Sequence, residues 1–210
     1  VSARIINGRE TPATRSPFVK VLMRSGGSLF LCGGSLLTSK AVLTASHCVS
    51  RNPAQMPIVA AGRRFSVRRV RVHPRAVRNR STGLITNDVA VLTLAKPTAK
   101  PTIGLLLSRA PVTQDTVEIF GFGLDQFGRS GTLRYGTAVV EEVSAGFLTT
   151  VYQSASQSDT CSGDSGGPAV YSYTDGAGEV RSGIVGTTSA GTTVDCTVGD
   201  VTYYVNLQSP

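Results

Sequence analysis

The sequence predicts an all-β protein built from many short strands. Its 210 residues contain no long amphipathic helical pattern, and short apolar runs recur along the whole chain. Glycine, serine and threonine are abundant between these runs, which favours turns. About a dozen strands at this spacing are typical of β-barrels or of a β-sandwich.

The first hairpin is predicted near the start of the chain. Residues 18–23 alternate weakly between apolar and polar, a serine–glycine turn covers 25–28, and an apolar run resumes at 29–31. The other strands are predicted at 41–44, 57–61, 65–72, 89–94, 117–120, 136–143, 148–153, 169–173, 181–185 and 201–205.

A domain boundary is predicted at residues 96–101, where two prolines interrupt the strand pattern. The charge balance reverses at the same place. Residues 1–100 hold 13 Arg and 4 Lys against two acidic residues, a balance of +15, whereas residues 101–210 hold 4 Arg against 11 acidic residues, a balance of −7. We therefore predict one domain at 1–100 and a second at 101–210.

Arginine is concentrated at residues 63–75, where the middle of the segment alternates valine with arginine. This alternation indicates an exposed strand with one buried face. A solvated surface is one interpretation of the arginines, and contact with a polyanion is the other, because clustered arginine attracts phosphate or sulfate. No nucleic-acid recognition motif accompanies the charge, so we do not expect specific nucleic-acid binding.

The four cysteines are Cys32, Cys48, Cys161 and Cys196. A zinc site would need all four to converge from distant positions, and the chain has no CxxC motif. Two disulfides, 32 to 48 and 161 to 196, would each close a modest loop. We therefore favour disulfides and an oxidising compartment. No membrane span is expected, because no apolar run approaches the roughly 20 residues that a spanning helix needs.

Residues 159–168 have the sequence Asp-Thr-Cys-Ser-Gly-Asp-Ser-Gly-Gly-Pro. Glycines on both sides of Ser165 allow a tight loop. In such a loop the backbone N–H groups of Gly163 and Ser165 can both point to one place, as an oxyanion hole requires. A bare glycine-rich turn is the alternative, and the full Gly-Asp-Ser-Gly-Gly-Pro string with a cysteine two residues before it favours a nucleophilic serine.

This segment resembles the nucleophile motif of the chymotrypsin/trypsin family of serine proteases. The family's Thr-Ala-Ala-His-Cys motif is similar to residues 44–48, where serine replaces one alanine, and its Asn-Asp-Ile/Val-Ala-Leu motif is similar to residues 87–92. The order histidine, aspartate, serine also matches. The resemblance spans nearly the whole chain and implies two six-stranded antiparallel Greek-key β-barrels with the active site in the cleft between them.

The resemblance implies a catalytic triad. A serine hydroxyl such as that of Ser165 is a weak nucleophile unless a base accepts its proton. His47 is the expected base, since imidazole titrates near neutral pH, and Asp88 is expected to hold its tautomer and stabilise its cation. A core histidine beside a disulfide is the alternative for His47. His73 is assigned no catalytic role.

The resemblance also implies what the disulfides do. Cys32 to Cys48 would anchor the loop of the base, and Cys161 to Cys196 would tie the nucleophile loop to the far wall of the specificity pocket. So few disulfides are more typical of microbial than of animal members. The calcium loop of many animal relatives needs acidic ligands in the first barrel, and no acidic residue lies between positions 10 and 88. We expect no metal and no cofactor.

Primary specificity depends on the pocket beside the nucleophile. Asp159 falls where trypsin-like members keep an aspartate that selects Arg or Lys. The family's opposite wall has a Ser-x-Gly pattern, and this chain can be aligned with it in two registers. The first uses Ser189 and Gly191 and keeps the serine and the glycine. The second uses residues 186–188 and would place a side chain at the mouth of the pocket. We favour the first. Asp200 falls near a position where the family usually has a pocket glycine.

The start of the chain resembles an activation site cut after Arg4. In the family the freed amine, here that of Ile5, pairs with the aspartate before the nucleophile, here Asp164. Three interpretations remain: an uncleaved zymogen, a remnant in front of the cleavage point, or a mature terminus at Val1 with Asp164 satisfied otherwise. We favour a zymogen-like form.

The sequence therefore predicts a secreted, monomeric serine endopeptidase that cleaves protein or peptide substrates through an acyl-enzyme. Two other functions remain as alternatives. One is a protease-fold binding protein or effector whose active site is not formed. The other is a polyanion-binding module in which the arginine-rich half dominates.

Overall fold

The computed structural model describes residues 5–124, 127–193 and 195–208. Three short 3-10 turns lie at Ala13–Arg15, Ser46–Cys48 and Pro53–Gln55. The strands, numbered in chain order, are β1 (Arg9–Glu10), β2 (Phe18–Ser25), β3 (Ser28–Leu36), β4 (Ala41–Thr44), β5 (Ile58–Ala60), β6 (Arg63–Phe65), β7 (Val67–Val72), β8 (Val77–Arg78), β9 (Ile85–Thr86), β10 (Ala90–Leu94), β11 (Thr116–Gly121), β12 (Arg134–Val143), β13 (Phe147–Val151), β14 (Pro168–Thr174), β15 (Val180–Gly191) and β16 (Val201–Asn206).

The first sheet has the order β6-β5-β2-β3-β4-β10-β7, and its pairings are antiparallel. Alternation builds its core: along β10, Ala90, Leu92 and Leu94 are buried while the residues between them are half-buried. The single strand predicted at 65–72 is divided at Ser66 into β6 and β7. The chain turns at this corner, so the two end strands of the sheet are consecutive in sequence.

The second sheet has the order β1-β12-β11-β14-β15-β16-β13, and β12 also pairs with β13. Six strands, β11 to β16, therefore close into a barrel. The short strand β1 pairs with β12 and is not part of this closed ring. Tyr204, Ile119 and Leu148 lie fully buried in the core of this barrel. Closure leaves these six strands with hydrogen-bonded neighbours on both sides, which removes exposed edges.

The predicted fold class is confirmed: the protein is almost entirely β, with one closed barrel and one curled sheet. A third apolar cluster joins them, with Phe18 and Leu43 from the first sheet packed among Val170 and Ile184 from the second. The division at 1–100 and 101–210 stays a prediction; residues 9 and 10 pair with the second sheet. No helix among the described residues is long and apolar enough to cross a membrane.

Candidate active site

His47 and Asp88 come together because β4 and β10 are neighbours in the first sheet. The 3-10 turn Ser46–Cys48, which carries His47, follows β4 after one residue. Asp88 comes just before β10, after a tight turn in which Asn87 has a positive φ of 50°. Asparagine tolerates this left-handed conformation better than most residues. The antiparallel pairing therefore places the start of β10 beside the end of β4.

The Asp88 carboxylate is fully buried and accepts four hydrogen bonds. Its Oδ2 accepts from Nδ1 of His47 at 2.6 Å and from the hydroxyl of Ser189 at 2.6 Å. Its Oδ1 accepts from the hydroxyl of Ser46 at 2.5 Å and from the backbone N–H of His47 at 2.9 Å. The carboxylate is thus fixed from three positions of the chain.

These contacts set the charge of Asp88. Burial alone would raise the pKa of its carboxyl, but the hydrogen bond and charge of His47, together with the hydroxyls of Ser189 and Ser46, outweigh burial and lower the pKa to about 2. Asp88 is therefore ionised at neutral pH. An ionised partner at Nδ1 keeps the proton on that nitrogen, so the Nε2 of neutral His47 is left as the basic atom.

The Ser165 loop is held against both sheets. The carbonyl of Ser165 accepts a hydrogen bond from the N–H of Gly33 in β3 at 2.8 Å. The N–H of Gly166 donates to the carbonyl of Thr188 in β15, also at 2.8 Å. Gly166 has a positive φ of 78°, and a Cβ there would lie 2.6 Å from the carbonyl oxygen of Gly33. A glycine is therefore required for this close approach.

The predicted oxyanion hole has free donors. Among the described residues, the backbone N–H groups of Gly163 and Ser165 donate to no protein acceptor. Within the same residues the hydroxyl of Ser165 makes no hydrogen bond, including none to His47. Hydrogen bonds of this kind are often long in unliganded enzymes and shorten when substrate is bound.

Of the three residues predicted for activation, the structure describes Ile5 and Asp164. Ile5 is fully buried in the second core, and the next residue, Ile6, donates its N–H to the carbonyl of Asp159 at 2.8 Å. Asp164 is fully buried and accepts from the N–H of Gly123 at 2.8 Å and from that of Cys161 at 2.9 Å. Arg4 lies outside the described residues.

A pocket of about 200 Å³ opens beside Ser165. Ser189 approaches Asp88 and Gly191 lines the pocket, which is the arrangement expected of the first register. A Cβ on Gly191 would lie 2.9 Å from Oδ2 of Asp200, so glycine keeps this wall open. The residues that line the pocket are Thr160, Cys161, Ser162, Ser165, Thr188, Ala190, Gly191, Thr193, Cys196 and Asp200.

Asp159 and Asp200 are both buried, and of the two Asp200 lines this pocket. Asp159 is not among the lining residues; its Oδ1 accepts from the hydroxyl of Thr202 at 2.8 Å, and burial, with a smaller effect of the charge of Asp200, raises its pKa to about 7. Asp200 lines the pocket, and its Oδ1 accepts from both the N–H and the hydroxyl of Thr192 at 2.7 Å and from the N–H of Thr193 at 2.8 Å. The Oδ2 atoms of both aspartates are buried without a hydrogen-bond partner among the described residues.

Sequence reasoning missed one contact at this site, that of Ser46 with Asp88, and left open on which side Asp200 lies. Ser46 stands at the one position where the histidine motif departs from the family's pattern, and that departure was the available signal. The alternation of β15 and β16 does not show whether Asp200 points into the pocket, because the segment between these strands is irregular.

Both expected disulfides are present, Cys32 to Cys48 and Cys161 to Cys196. Cys32, Cys48 and His47 lie close enough together to resemble a metal site, with ligand atoms within 4.8 Å. Both sulfurs belong to the disulfide, however, and offer no thiolate. This cluster is therefore unsuited to zinc.

Comparison with known proteins agrees with this geometry. A family model described as Trypsin matches residues 5–209. Serine protease SP24D of Anopheles gambiae is 34% identical over 195 residues, covering 80% of this chain and 68% of that protein. Trypsin 5G1 of Aedes aegypti is 28% identical over 199 residues, covering 82% and 73%, and Trypsin delta of Drosophila melanogaster is 28% identical over 196 residues, covering 81% and 75%. The chain therefore belongs to the trypsin family of serine proteases.

Proposed function

We propose that this protein is an active, secreted serine endopeptidase that uses His47, Asp88 and Ser165. The observation that carries the proposal is the 2.6 Å contact between Nδ1 of His47 and a fully buried carboxylate that itself accepts four hydrogen bonds. A purely structural histidine does not need an ionised partner held in this way. The two disulfides support secretion, because they persist in oxidising compartments.

The chemistry begins at the hydroxyl of Ser165. Its Oγ attacks the carbonyl carbon of the scissile bond while Nε2 of His47 accepts the hydroxyl proton. The negative charge that develops on the carbonyl oxygen is stabilised by the N–H groups of Gly163 and Ser165. Asp88 stays ionised throughout and stabilises the imidazolium through Nδ1.

The tetrahedral intermediate then collapses. The bond from carbon to nitrogen breaks, and the imidazolium gives its proton to the leaving amine, so an acyl ester remains on Ser165. A water molecule attacks this ester and passes its proton to His47. The second collapse releases the acid, and the proton returns to Oγ of Ser165.

Labelling with a fluorophosphonate probe tests the proposal, because the probe forms an adduct only with an activated serine. We expect one adduct at Ser165 and none in the Ser165→Ala variant. His47→Ala should slow labelling by several orders of magnitude, since the serine then lacks its base. Absence of an adduct, even after cleavage behind Arg4, would instead support the alternative of a protease-fold binding protein.

Cleavage after Arg4 tests the zymogen-like interpretation separately. If the uncut chain is a zymogen, labelling of Ser165 should rise after limited proteolysis at this bond, because the freed amine of Ile5 then has Asp164 as its partner. Equal labelling before and after the cut would support an enzyme whose Asp164 is satisfied by backbone donors.

We expect the protein to be a monomer both before and after this cut, and sedimentation velocity measures its oligomeric state.

We infer a preference for Arg or Lys before the scissile bond. The support is electrostatic: the pocket beside Ser165 has Asp200 in its wall, Asp159 is buried next to the lining residue Thr160, and each carboxylate has one buried oxygen without a partner among the described residues. A cation bound in the pocket would compensate the desolvated oxygen of Asp200 and would be attracted by the charge of Asp159. An apolar or acidic substrate side chain would leave that oxygen uncompensated.

A series of peptide substrates that differ only before the scissile bond tests this preference. Asp159→Asn and Asp200→Asn should each lower kcat/KM for Arg and Lys substrates by about tenfold to a hundredfold, the cost of a lost charge-assisted hydrogen bond. Asp195→Asn is the matched control, because Asp195 is exposed on the same loop and carries the same charge. Faster cleavage after alanine or phenylalanine by the unaltered enzyme would overturn the preference.

A further inference from the structure

Six exposed cations of the first sheet lie on β6, on β7 and shortly after β10, and we call them the basic face. The residues of this basic face are Arg63, Arg64, Arg68, Arg69, Arg71 and Lys96, and all six are exposed. Val67 and Val70, which alternate with the arginines of β7, pack into or against the first core. The strand is therefore anchored by its valines and presents its arginines to solvent.

A backbone hydrogen bond determines how Lys96 lies relative to the arginines of β6. The N–H of Ala95 donates to the carbonyl of Ser66 at 2.9 Å, which holds the chain after β10 against the corner between β6 and β7. Lys96 therefore lies beside the arginines of β6. In the pairing of β7 with β10, Arg69 faces Thr93 and Arg71 faces Val91, so both arginines lie on the same side of the sheet, and both are exposed.

A groove of about 490 Å³ lies between β6 and the segment that follows β10. Arg63, Arg64 and Lys96 lie along it, with Pro97 and Phe65 among its apolar lining. The groove is larger than the pocket beside Ser165. It also shares no lining residue with that pocket, so it is a separate feature of the surface.

The charges of the basic face are not neutralised within the described part of the chain, where none of its six cations forms an ion pair. Glu10 and Asp88 are the only acidic residues among the first 100, and both are engaged elsewhere. Glu10 pairs with Arg134 at 2.6 Å, and Asp88 is buried against His47. Like charges held this close repel one another, and an external anion would relieve that repulsion.

We propose that the basic face binds a linear sulfated polysaccharide. The arginines at 69 and 71 lie on one side of a strand, about 6.6 Å apart at the usual rise per residue, so they present charge at regular intervals to an extended polymer. The guanidinium group matches the oxygens of a sulfate with two parallel hydrogen bonds, and five of the six cations are arginine.

The composition of the face disfavours single-stranded nucleic acid. Proteins that bind such strands without sequence preference stack bases on exposed aromatic side chains. Phe65 is the aromatic residue that lines the groove with Arg63, Arg64 and Lys96, and it is half-buried and packed against the first core. The disulfides also indicate the oxidising compartment in which sulfated polysaccharides occur.

Equilibrium binding to fluorescent heparin tests the proposal, with the Ser165→Ala variant of the full chain used throughout to prevent self-cleavage. We expect binding at 0.15 M NaCl that weakens steeply with added salt, and no binding of hyaluronan, which carries carboxylates but no sulfate. Arg68→Gln/Arg69→Gln/Arg71→Gln should weaken heparin binding by about tenfold or more, and should reduce the slope of log Kd against log salt by about 2.

The matched control is Arg15→Gln/Arg24→Gln/Arg51→Gln, which removes the same charge from exposed positions of the first half outside the basic face. Thermal unfolding checks that both triple variants are folded. Equal weakening by the two variants would mean that net charge alone attracts the polymer and would overturn the proposal. Tighter binding of a single-stranded DNA or of vesicles containing phosphatidylserine than of heparin would overturn it as well.

Discussion

Loss of the Ser46 hydroxyl tests how the Asp88 carboxylate is held. Ser46 donates to Oδ1 of Asp88 at 2.5 Å, and a hydrogen bond to a charged group contributes about 1.5–3 kcal/mol to the free energy of unfolding. Ser46 is half-buried, so water can partly replace its hydroxyl. We therefore expect Ser46→Ala to cost about 1.5 kcal/mol, near the lower end of that range. For a chain of this size that cost lowers Tm by roughly 3–6 °C.

The pH dependence of this loss has a definite sign. The pKa of Asp88 is about 2 in the folded protein against 3.8 for the ordinary carboxyl group, so its contribution to stability is present above pH 3.8 and is lost as the pH falls to 2. The Tm difference between Ser46→Ala and the parent should therefore be full at pH 7 and smaller at pH 2.

Differential scanning calorimetry in a Ser165→Ala background measures both quantities without self-cleavage. In an Asp88→Asn background the Ser46→Ala cost should fall to about 0.5 kcal/mol, the lower end of the range for a neutral hydrogen bond. Ser144→Ala is the control, because its exposed hydroxyl donates to the neutral carbonyl of Phe147 at 3.0 Å. An unchanged Tm at pH 7, or an equal cost when Asp88 is replaced by Asn, would refute the reasoning.

Three further predictions concern the pocket and the second barrel. Because burial raises the pKa of Asp159 to about 7, this carboxyl gains negative charge between pH 6 and pH 8, and we expect the affinity for benzamidine, a cationic ligand, to rise over that range, which calorimetric titration measures; an affinity independent of pH would contradict this. Gly166→Ala should destabilise the protein by several kcal/mol, seen as a large loss of Tm, since a Cβ there would lie 2.6 Å from the Gly33 oxygen at a positive φ. Replacing Cys161 and Cys196 by serine should cost about 4 kcal/mol in denaturant unfolding, because the disulfide closes a loop of 35 residues.

The fold class and both disulfides were predictable from the sequence because their signals are local. Short alternating runs mark most strands, and the motifs around His47, Asp88 and Ser165 indicated the family before any geometry was known. The two-residue strands β1, β8 and β9 were not predicted, since two residues are too few to show a period. The corner at Ser66 was likewise not visible, because the apolar pattern continues through it.

By itself, the sequence determined which residue types are available for chemistry and the family in which they occur together. The family resemblance left two alignments for the pocket wall, and the tertiary structure brings Ser189, 101 residues away from Asp88, to donate to its carboxylate. It also places Asp200 rather than Asp159 in the pocket lining. The physical reason is that hydrogen bonding and burial depend on which segments meet in space. Alternation along a strand fixes the side of a sheet on which a side chain lies, whereas the packing of the two sheets fixes its partner.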